Sequence, residues 1–537
     1  MSKKSFVKGA AILAVAGLAA KFIGALFRIP LMNIIGGEGI GFYQMAYPIY
    51  SFLLIISTAG IPTAISKIVA EKIALNNHRE AHKVFQISFK LMLVIGIATF
   101  IIFSAGSRVT ARIVGDERAF YSILAIAPSL IFVSLISSLR GYFQGMQYMT
   151  PTAISQIVEQ VGKLILGLWF ASLWINRGTE YGAAAAVIGV TLSEGAALAL
   201  LLGMYRGKRN EILHSIKNTP RVRYTESNRS ILSRLAKLAV PITIGASIMP
   251  FVNIADVIIV VNRLRQIGFE KKEAVKLFGF LTGGANPLIN FPAVLTIALA
   301  MSLVPAISES YANKDYKNIS KKTTTGIRLT LLLGLPAAAG MAVLARPICA
   351  LLYSSLPSAD ITATGAILSI LAVGVVFLTL VQTLTAILQG LNKVMIPVTN
   401  LFIGALFKIV ITYTLVGNPS FNVKGAAIGT VVCYGVAATL DFAAVIRYAK
   451  TPISFMDFIV KPIAAVSVMS LVVYGSYQFS VSYLGGSKAT LVSILIGAII
   501  YGIVLLAVGA IRKQDFELLP GGKKLGRILT KLKLIRN

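Results

Sequence analysis

Six basic side chains interrupt the long apolar stretches of this 537-residue chain: Lys21, Arg28, Lys90, Lys163, Arg328 and Lys408. Placing a Lys or Arg at the centre of a membrane helix costs about 2.5–3.5 kcal/mol on insertion scales, so such charges face a bundle interior or a wet cavity. Lys21 and Arg28 are seven residues apart and therefore share one helix face, with Gly17 and Gly24 on or near the same stripe. Together they suit an anion such as a phosphate; snorkelling of Arg28 towards a helix end near Gly36 is the plainer alternative. Lys163 follows Glu159 by four residues, which makes either a self-neutralised ion pair or a substrate-facing cation. Lys408 has Gly404 where the acid would be, and is the better anion ligand of the two. Lys90 and Arg328 sit near span ends, where long basic side chains snorkel to water.

Other charged candidates are fewer. Arg140, within Leu139-Arg140-Gly141-Tyr142-Phe143-Gln144-Gly145, falls at a cytoplasmic mouth, where it would gate or contact a headgroup. Asp256 lies mid-helix in the seventh apolar run; it either binds a coupling cation or proton or pairs with a base, and pairing is favoured. Glu194 and Asp441 occupy the sixth and twelfth runs. His78, His82 and His214 all fall in polar connections without a carboxylate pair suited to a metal, and Cys349 and Cys433 sit in apolar runs as small hydrophobes. No P-loop is present. These residues describe neither an enzyme nor an ATP-driven pump, and they require no metal or cofactor.

The elements that carry these charges follow from composition. A net charge of +31 alone would suggest a nucleic-acid partner. Yet 56% of the residues are hydrophobic and only 13% charged, against about 25% in soluble domains. The chain therefore reads as an all-α polytopic membrane protein with no nucleic-acid role. A spanning helix needs about 20 apolar residues, and fourteen runs qualify, near 9–36, 46–75, 84–107, 119–147, 151–175, 182–205, 232–262, 276–311, 323–352, 361–391, 394–416, 424–448, 456–480 and 489–512. The first continues past any signal-peptide cleavage point and reads as a membrane span. With the amino terminus placed in the cytoplasm, 33 Lys and Arg fall on inner segments and 12 on outer ones, so both termini are expected inside. The tail beyond Pro520 has helical apolar spacing with a basic opposite face, suited to anionic inner-leaflet lipids.

An internal repeat organises the spans. Pro62-Thr63-Ala64-Ile65-Ser66 recurs as Pro305-Ala306-Ile307-Ser308, and Phe143-Gln144-Gly145 as Leu388-Gln389-Gly390. Pro151 matches Pro397, Lys163 matches Lys408, and Gly182-Ala183-Ala184 matches Gly425-Ala426-Ala427, all in order and at nearly constant offset. Six helices per repeat is an even number, so the repeats run parallel, an arrangement suited to a transporter. The expected domains are an N-lobe over 1–215, a C-lobe over 216–452, a C-terminal helix pair over 453–515 and a basic amphipathic tail over 516–537.

Arg140-Gly141-Tyr142-Phe143-Gln144-Gly145, continuing through Pro151 to Gln160, resembles the stage V sporulation protein B group, as do Gly60 to Lys67 and Gly36 to Gly41. That group belongs to the polysaccharide-transporter branch of the multidrug/oligosaccharidyl-lipid/polysaccharide (MOP) flippase superfamily, beside the MurJ-type lipid II flippases. The resemblance implies two six-helix lobes around a cavity, with the last two helices forming a lipid-tail groove. It implies a flippase for an undecaprenyl-pyrophosphate-linked sugar, working by alternating access in the bacterial plasma membrane. Cell-wall or spore-cortex peptidoglycan synthesis would be its setting, with the corresponding machinery as partners. Family members use basic cavity residues in the first helix, which Lys21 and Arg28 match in position. Lipid II flippases also carry arginines in helices 2 and 8, whereas this chain has no Lys or Arg between Met45 and Ser66 or between Phe278 and Ile307. The rival within the superfamily is a drug/cation antiporter, which would want acids in its cavity. A membrane glycosyltransferase would need a catalytic carboxylate in a large outer loop, which the chain lacks.

The charge asymmetry predicts sidedness. In a Cys349→Ala/Cys433→Ala background, Asn218→Cys should react with an impermeant maleimide only in inverted vesicles, and Lys488→Cys only in intact cells. The reverse pattern overturns the topology.

Overall fold

The computed structural model describes residues 3–217, 226–451 and 456–509, and every regular element among them is a helix. Lipid offers no partner for backbone N–H and C=O groups, so a chain this apolar satisfies them within helices. The basic tail over 516–537 lies outside the described residues.

The first half of the chain forms α1 (Lys3–Thr58), α2 (Ile61–Ala74), α3 (His78–Ala105), α4 (Ser107–Ile113), α5 (Phe120–Ile126), α6 (Ser129–Gly145), α7 (Thr150–Trp174), α8 (Thr179–Lys217), α9 (Asn228–Gln266) and α10 (Lys271–Gly279). The second half forms α11 (Asn286–Ala312), α12 (Tyr316–Val343), α13 (Ala345–Leu352), α14 (Ser358–Gly390), α15 (Met395–Val416), α16 (Lys424–Ala449), α17 (Lys461–Leu484) and α18 (Gly486–Ala507). A π-helical turn, Phe280–Ala285, joins α10 to α11, and the Tyr353 hydroxyl donates to the Gly284 carbonyl at 2.8 Å.

Thirteen helical stretches are long and apolar enough to cross a membrane, one fewer than the hydropathy reading. The difference lies in the first stretch, Val15–Ala74, whose 60 residues join the first two expected runs, with α1 meeting α2 across the bend at Ala59 and Gly60. At 1.5 Å per residue it measures about 90 Å, some three times the hydrocarbon thickness, so it accounts for two crossings. The direction changes at Gly36, whose φ of 68° and ψ of −179° break the helix in a conformation that L side chains rarely adopt. The ninth run, expected over 323–352, is also divided: α12 stops at Val343 and α13 begins at Ala345. Pro347 has no N–H to give Val343, and its ring opposes a continuous helix there.

The helices pack as two compact units, one comprising Met1–Arg265 and Phe269–Gly279, the other Gln266–Gly268 and Phe280–Asn537. The division at 215/216 that we propose concerns the repeat; packing groups α9 with the first unit. Its start is tied down by Lys72–Glu226 at 2.9 Å and by Arg234–Glu71. Its middle meets the α1–α2 bend, where the Gly60 N–H donates to the Thr243 hydroxyl at 3.2 Å. Near its end, the Asn262 amide donates to the Ile113 carbonyl at 3.0 Å.

Within each unit, the repeated motif makes the same kind of contact. A Cβ added at Gly145 of α6 would lie 2.7 Å from Val69 Cβ on α2, and one at Gly390 of α14 would lie 2.8 Å from Ile307 Cβ on α11. The repeat-related glycines Gly145 and Gly390 thus bring α6 against α2 and α14 against α11 at glycine distance. The core of the first unit gathers Ile65, Ile68, Leu139, Phe143 and Leu201, and that of the second Leu303, Ile307, Leu384, Leu388 and Val445.

Leucine at Gly145 or Gly390 should overpack this contact and destabilise the protein by about 1–3 kcal/mol, read as a lower thermal midpoint in detergent. Gly475→Leu, where nothing lies within 4 Å of the added Cβ, should leave the midpoint unchanged.

Candidate substrate cavity

The first unit encloses a cavity of about 350 Å³ whose lining includes Tyr47, Tyr50, Arg140, Glu159, Lys163 and Glu194. Its walls come from α1, α2, α6, α7 and α8. Close helix approach makes this possible: Cβ atoms added at Gly162 and Gly167 of α7 would fall 2.8 Å from Ser193 of α8 and 2.9 Å from the Phe27 ring of α1.

Past the Gly36 bend, α1 carries Tyr43, Tyr47 and Tyr50, spaced to share one face. Tyr43 and Tyr47 stack with centroids 5.8 Å apart, and Tyr47 meets Tyr50 at 6.0 Å. Lys163 enters this aromatic wall, its Nζ 5.1 Å from the Phe27 ring centre and 5.2 Å from that of Tyr47. Its side chain is buried, with 7% of the residue exposed, and it forms no ion pair among the described residues. Desolvated cation–π contacts of this kind contribute about 2 kcal/mol or more. Ring faces stabilise the ammonium without neutralising it, so its field remains available to an anion. Arg28 approaches the same Tyr47 ring at 5.7 Å.

Glu159 is engaged elsewhere than the four-residue spacing suggests. Its Oε2 pairs with Arg140 Nη2 at 3.0 Å, and its Oε1 accepts from the Gln160 amide at 3.1 Å. Arg140 Nε also donates to the Ser155 hydroxyl at 2.9 Å. The intrahelical Glu159–Lys163 pair is therefore replaced by an interhelical one, because α6 delivers a forked donor to a carboxylate already oriented on α7. Across the cavity, the Tyr50 hydroxyl donates to Glu194 Oε1 at 2.8 Å, while the other carboxylate oxygen has no hydrogen-bond partner. Gln144, Gln156, Gln160, Ser137 and Ser193 complete a lining rich in amides and hydroxyls. Such a surface binds a polyhydroxyl or anionic headgroup in competition with water.

The remaining expected residues are distributed otherwise. Lys21 is exposed, has no partner among the described residues and does not line this cavity. Lys408 belongs to the second unit, where α15 buries it to 4% exposure, matching its repeat counterpart Lys163. Asp256 is buried on α9 at 7% exposure, outside the cavity lining. Asp441 is wholly buried on α16 and accepts from the Asn400 amide at 2.8 Å. Lys90 is exposed. Arg328 does not snorkel: it is 3% exposed on the inward face of α12, beside buried Thr325, Leu329 and Leu332. Both cysteines are buried. Among the described residues no cluster of His, Cys, Asp and Glu could hold a metal. The sequence reading missed the tyrosine face and the glutamines, although the Tyr43, Tyr47, Tyr50 spacing was there to find.

Residues 6–311 match the polysaccharide biosynthesis protein family, and residues 282–414 match the MatE family. The chain is 30% identical to stage V sporulation protein B of Bacillus subtilis (strain 168), covering 97% of this chain and 98% of that protein. It is 25% identical to the lipid II flippase MurJ of the same organism, covering 98% and 99%. Among solved structures, a lipid II flippase MurJ in an inward closed conformation superposes with a TM-score of 0.68 at 17% identity, over 92% of this chain and 98% of that one. The all-helical fold and these likenesses agree that the chain is a multi-pass membrane transporter, and it belongs to the polysaccharide biosynthesis protein family of the MOP flippase superfamily.

Proposed function

We propose that this flippase moves an undecaprenyl-pyrophosphate-linked sugar, lipid II or a related polysaccharide precursor, from the inner to the outer leaflet by alternating access. Its setting is the bacterial plasma membrane, with both termini cytoplasmic, and its role is cell-wall or spore-cortex peptidoglycan synthesis alongside that machinery. The observation that carries the reading is Lys163, a buried cation held by rings instead of a carboxylate, in a cavity whose lining also includes Tyr, Gln and Ser side chains, the Arg140–Glu159 pair and Glu194. Lys163 and Arg28 would attract the pyrophosphate while the amides and hydroxyls hold the sugar. Arg140 would meet the headgroup at the mouth, exchanging Glu159 for it. Lys21 and Lys408 are further anion ligands in this reading, and Asp256 is the ion-pair or coupling residue. The basic tail would rest on anionic inner-leaflet lipids.

A second cavity supports the lipid half of the substrate. In the second unit, α12, α13, α17 and α18 surround about 410 Å³ lined by Leu332, Pro336, Met341, Met469, Val473 and Tyr501, among others. Its walls are almost wholly apolar, and the Tyr501 hydroxyl is turned to the Leu332 carbonyl at 2.8 Å. An isoprenoid chain fits such a groove without leaving a polar group unpaired. Glu194 favours the cation-antiport reading, since its carboxylate faces the same cavity with one oxygen unpartnered; Glu159 does not, being paired with Arg140.

Reconstituted vesicles separate these readings. Translocation of a fluorescent undecaprenyl-pyrophosphate glycan should fall about tenfold in Lys163→Met, equivalent to roughly 1.4 kcal/mol, at normal expression. Unchanged rates in both Lys163→Met and Lys21→Ala/Arg28→Ala would refute the anion assignment, and efflux of an organic cation that depends on Glu194 would favour antiport. Ala498→Trp, which narrows the groove, should slow the long-chain glycolipid more than a short-chain analogue with the same headgroup.

A further inference from the structure

The seven residues of α4 follow the span α3 after a single glycine, and i, i+4 spacing sorts them onto distinct faces. Ser107 and Ala111 are buried against the protein. Val109 and Ile113, 59% and 52% exposed, form an apolar face without a protein partner. Arg108 and Arg112 lie between these faces, both exposed. A helix of this length, about 10 Å, cannot cross a bilayer. An exposed apolar edge directly at a span's end places it along the membrane–water boundary.

The arginines of this segment are unequally engaged. Arg118 is saturated: it contacts Glu38 and Asp116 at 2.9 Å each and lies 4.8 Å from the Phe42 ring centre. Arg112 meets Glu117 at 3.1 Å, but both side chains are about seven-tenths exposed, so the pair is weak. Arg108 has no carboxylate among the described residues and packs only on the Phe120 ring, at 5.4 Å. Together with Glu117, Phe120 and Tyr121, the three arginines line a polar cavity of about 360 Å³. This is a lopsided arrangement for folding alone, since one arginine is left without an anion beside an aromatic rim at interfacial depth.

We propose that Arg108 and Arg112 bind the phosphodiester of an anionic membrane phospholipid, whose acyl chains lie along Val109 and Ile113. Charge complementarity selects the anionic headgroup, and the adjoining apolar face selects a molecule that brings its own hydrocarbon. Guanidinium groups match phosphate oxygens with forked donors, whereas a zwitterionic headgroup offers them a competing internal cation. The site is distinct from the cavity around Lys163 and does not depend on what that cavity transports.

The test is native mass spectrometry of the full-length protein released from nanodiscs of equimolar phosphatidylglycerol and phosphatidylcholine. The protein should retain phosphatidylglycerol preferentially, and R108Q/R112Q should retain about 30-fold less of it, with an unchanged thermal midpoint. Equal retention of the two lipids by the native protein, or undiminished phosphatidylglycerol in the double variant, overturns the proposal. Full displacement of phosphatidylglycerol by equimolar undecaprenyl pyrophosphate also overturns it and assigns the arginines to the polyprenyl lipid. Should R108Q/R112Q unfold, V109N/I113N carries the test, and undiminished retention in that variant overturns the proposal.

Discussion

A lysine ammonium buried inside a membrane helix bundle, held by aromatic rings in place of a carboxylate, is the interaction on which the site depends. Lys163 carries the insertion cost of an intramembrane charge, about 2.5–3.5 kcal/mol. Two cation–π contacts offset much of that cost, yet leave the charge uncompensated. A carboxylate in the same place would have made a stable core and an inert one. Here the neutralising carboxylate, Glu159, is diverted to Arg140, so the lysine keeps its field.

That arrangement constrains the surrounding helices. For Phe27 and Tyr47 to reach one ammonium, α1 must reverse at Gly36 and α7 must approach both α1 and α8 closely. Gly162 and Gly167 make that approach possible, since a methyl group at either would press on Ser193 or Phe27. Dispersion between small-residue surfaces replaces the hydrophobic effect as the force joining helices in lipid. The same economy appears at Gly145 and Gly390, where the repeat reuses one contact in each unit. The position of α9 adds a different element: although the repeat counts it with the later helices, the ionic and hydrogen-bonded ties of α9 and the residues just before it to α2 and α4 group it with the first unit.

Much of the fold was legible along the chain. Hydropathy and Pro/Gly punctuation matched each expected run to a long helical stretch, although an end such as Lys217 lies 12 residues beyond its run, because spanning demands contiguous apolar residues and contiguity is a local property. The merged first stretch and the break at Leu344 escaped that reading, as hydropathy does not register a change of direction. The site was only half legible. Lys163, Arg140 and Glu159 were named from residue type, but Glu159 was set beside Lys163 as its simplest partner. Arg328, read as snorkelling, proved buried, since its distance from a span end said nothing about which side of α12 it occupies. The tyrosine face went unread because aromatic residues in an apolar chain resemble core until a cation is placed against them.

The sequence by itself determined that this is a membrane protein, where its helices run, that it is duplicated, and which few charges must be explained. Those properties depend on composition and on spacing along one helix. Only the tertiary structure decided which charges cancel and which persist: Arg140 and Glu159 stand 19 positions apart, and Phe27 and Lys163 far more. Electrostatic partnership depends on distance through space, and in a bundle that distance is set by how closely neighbouring helices pack.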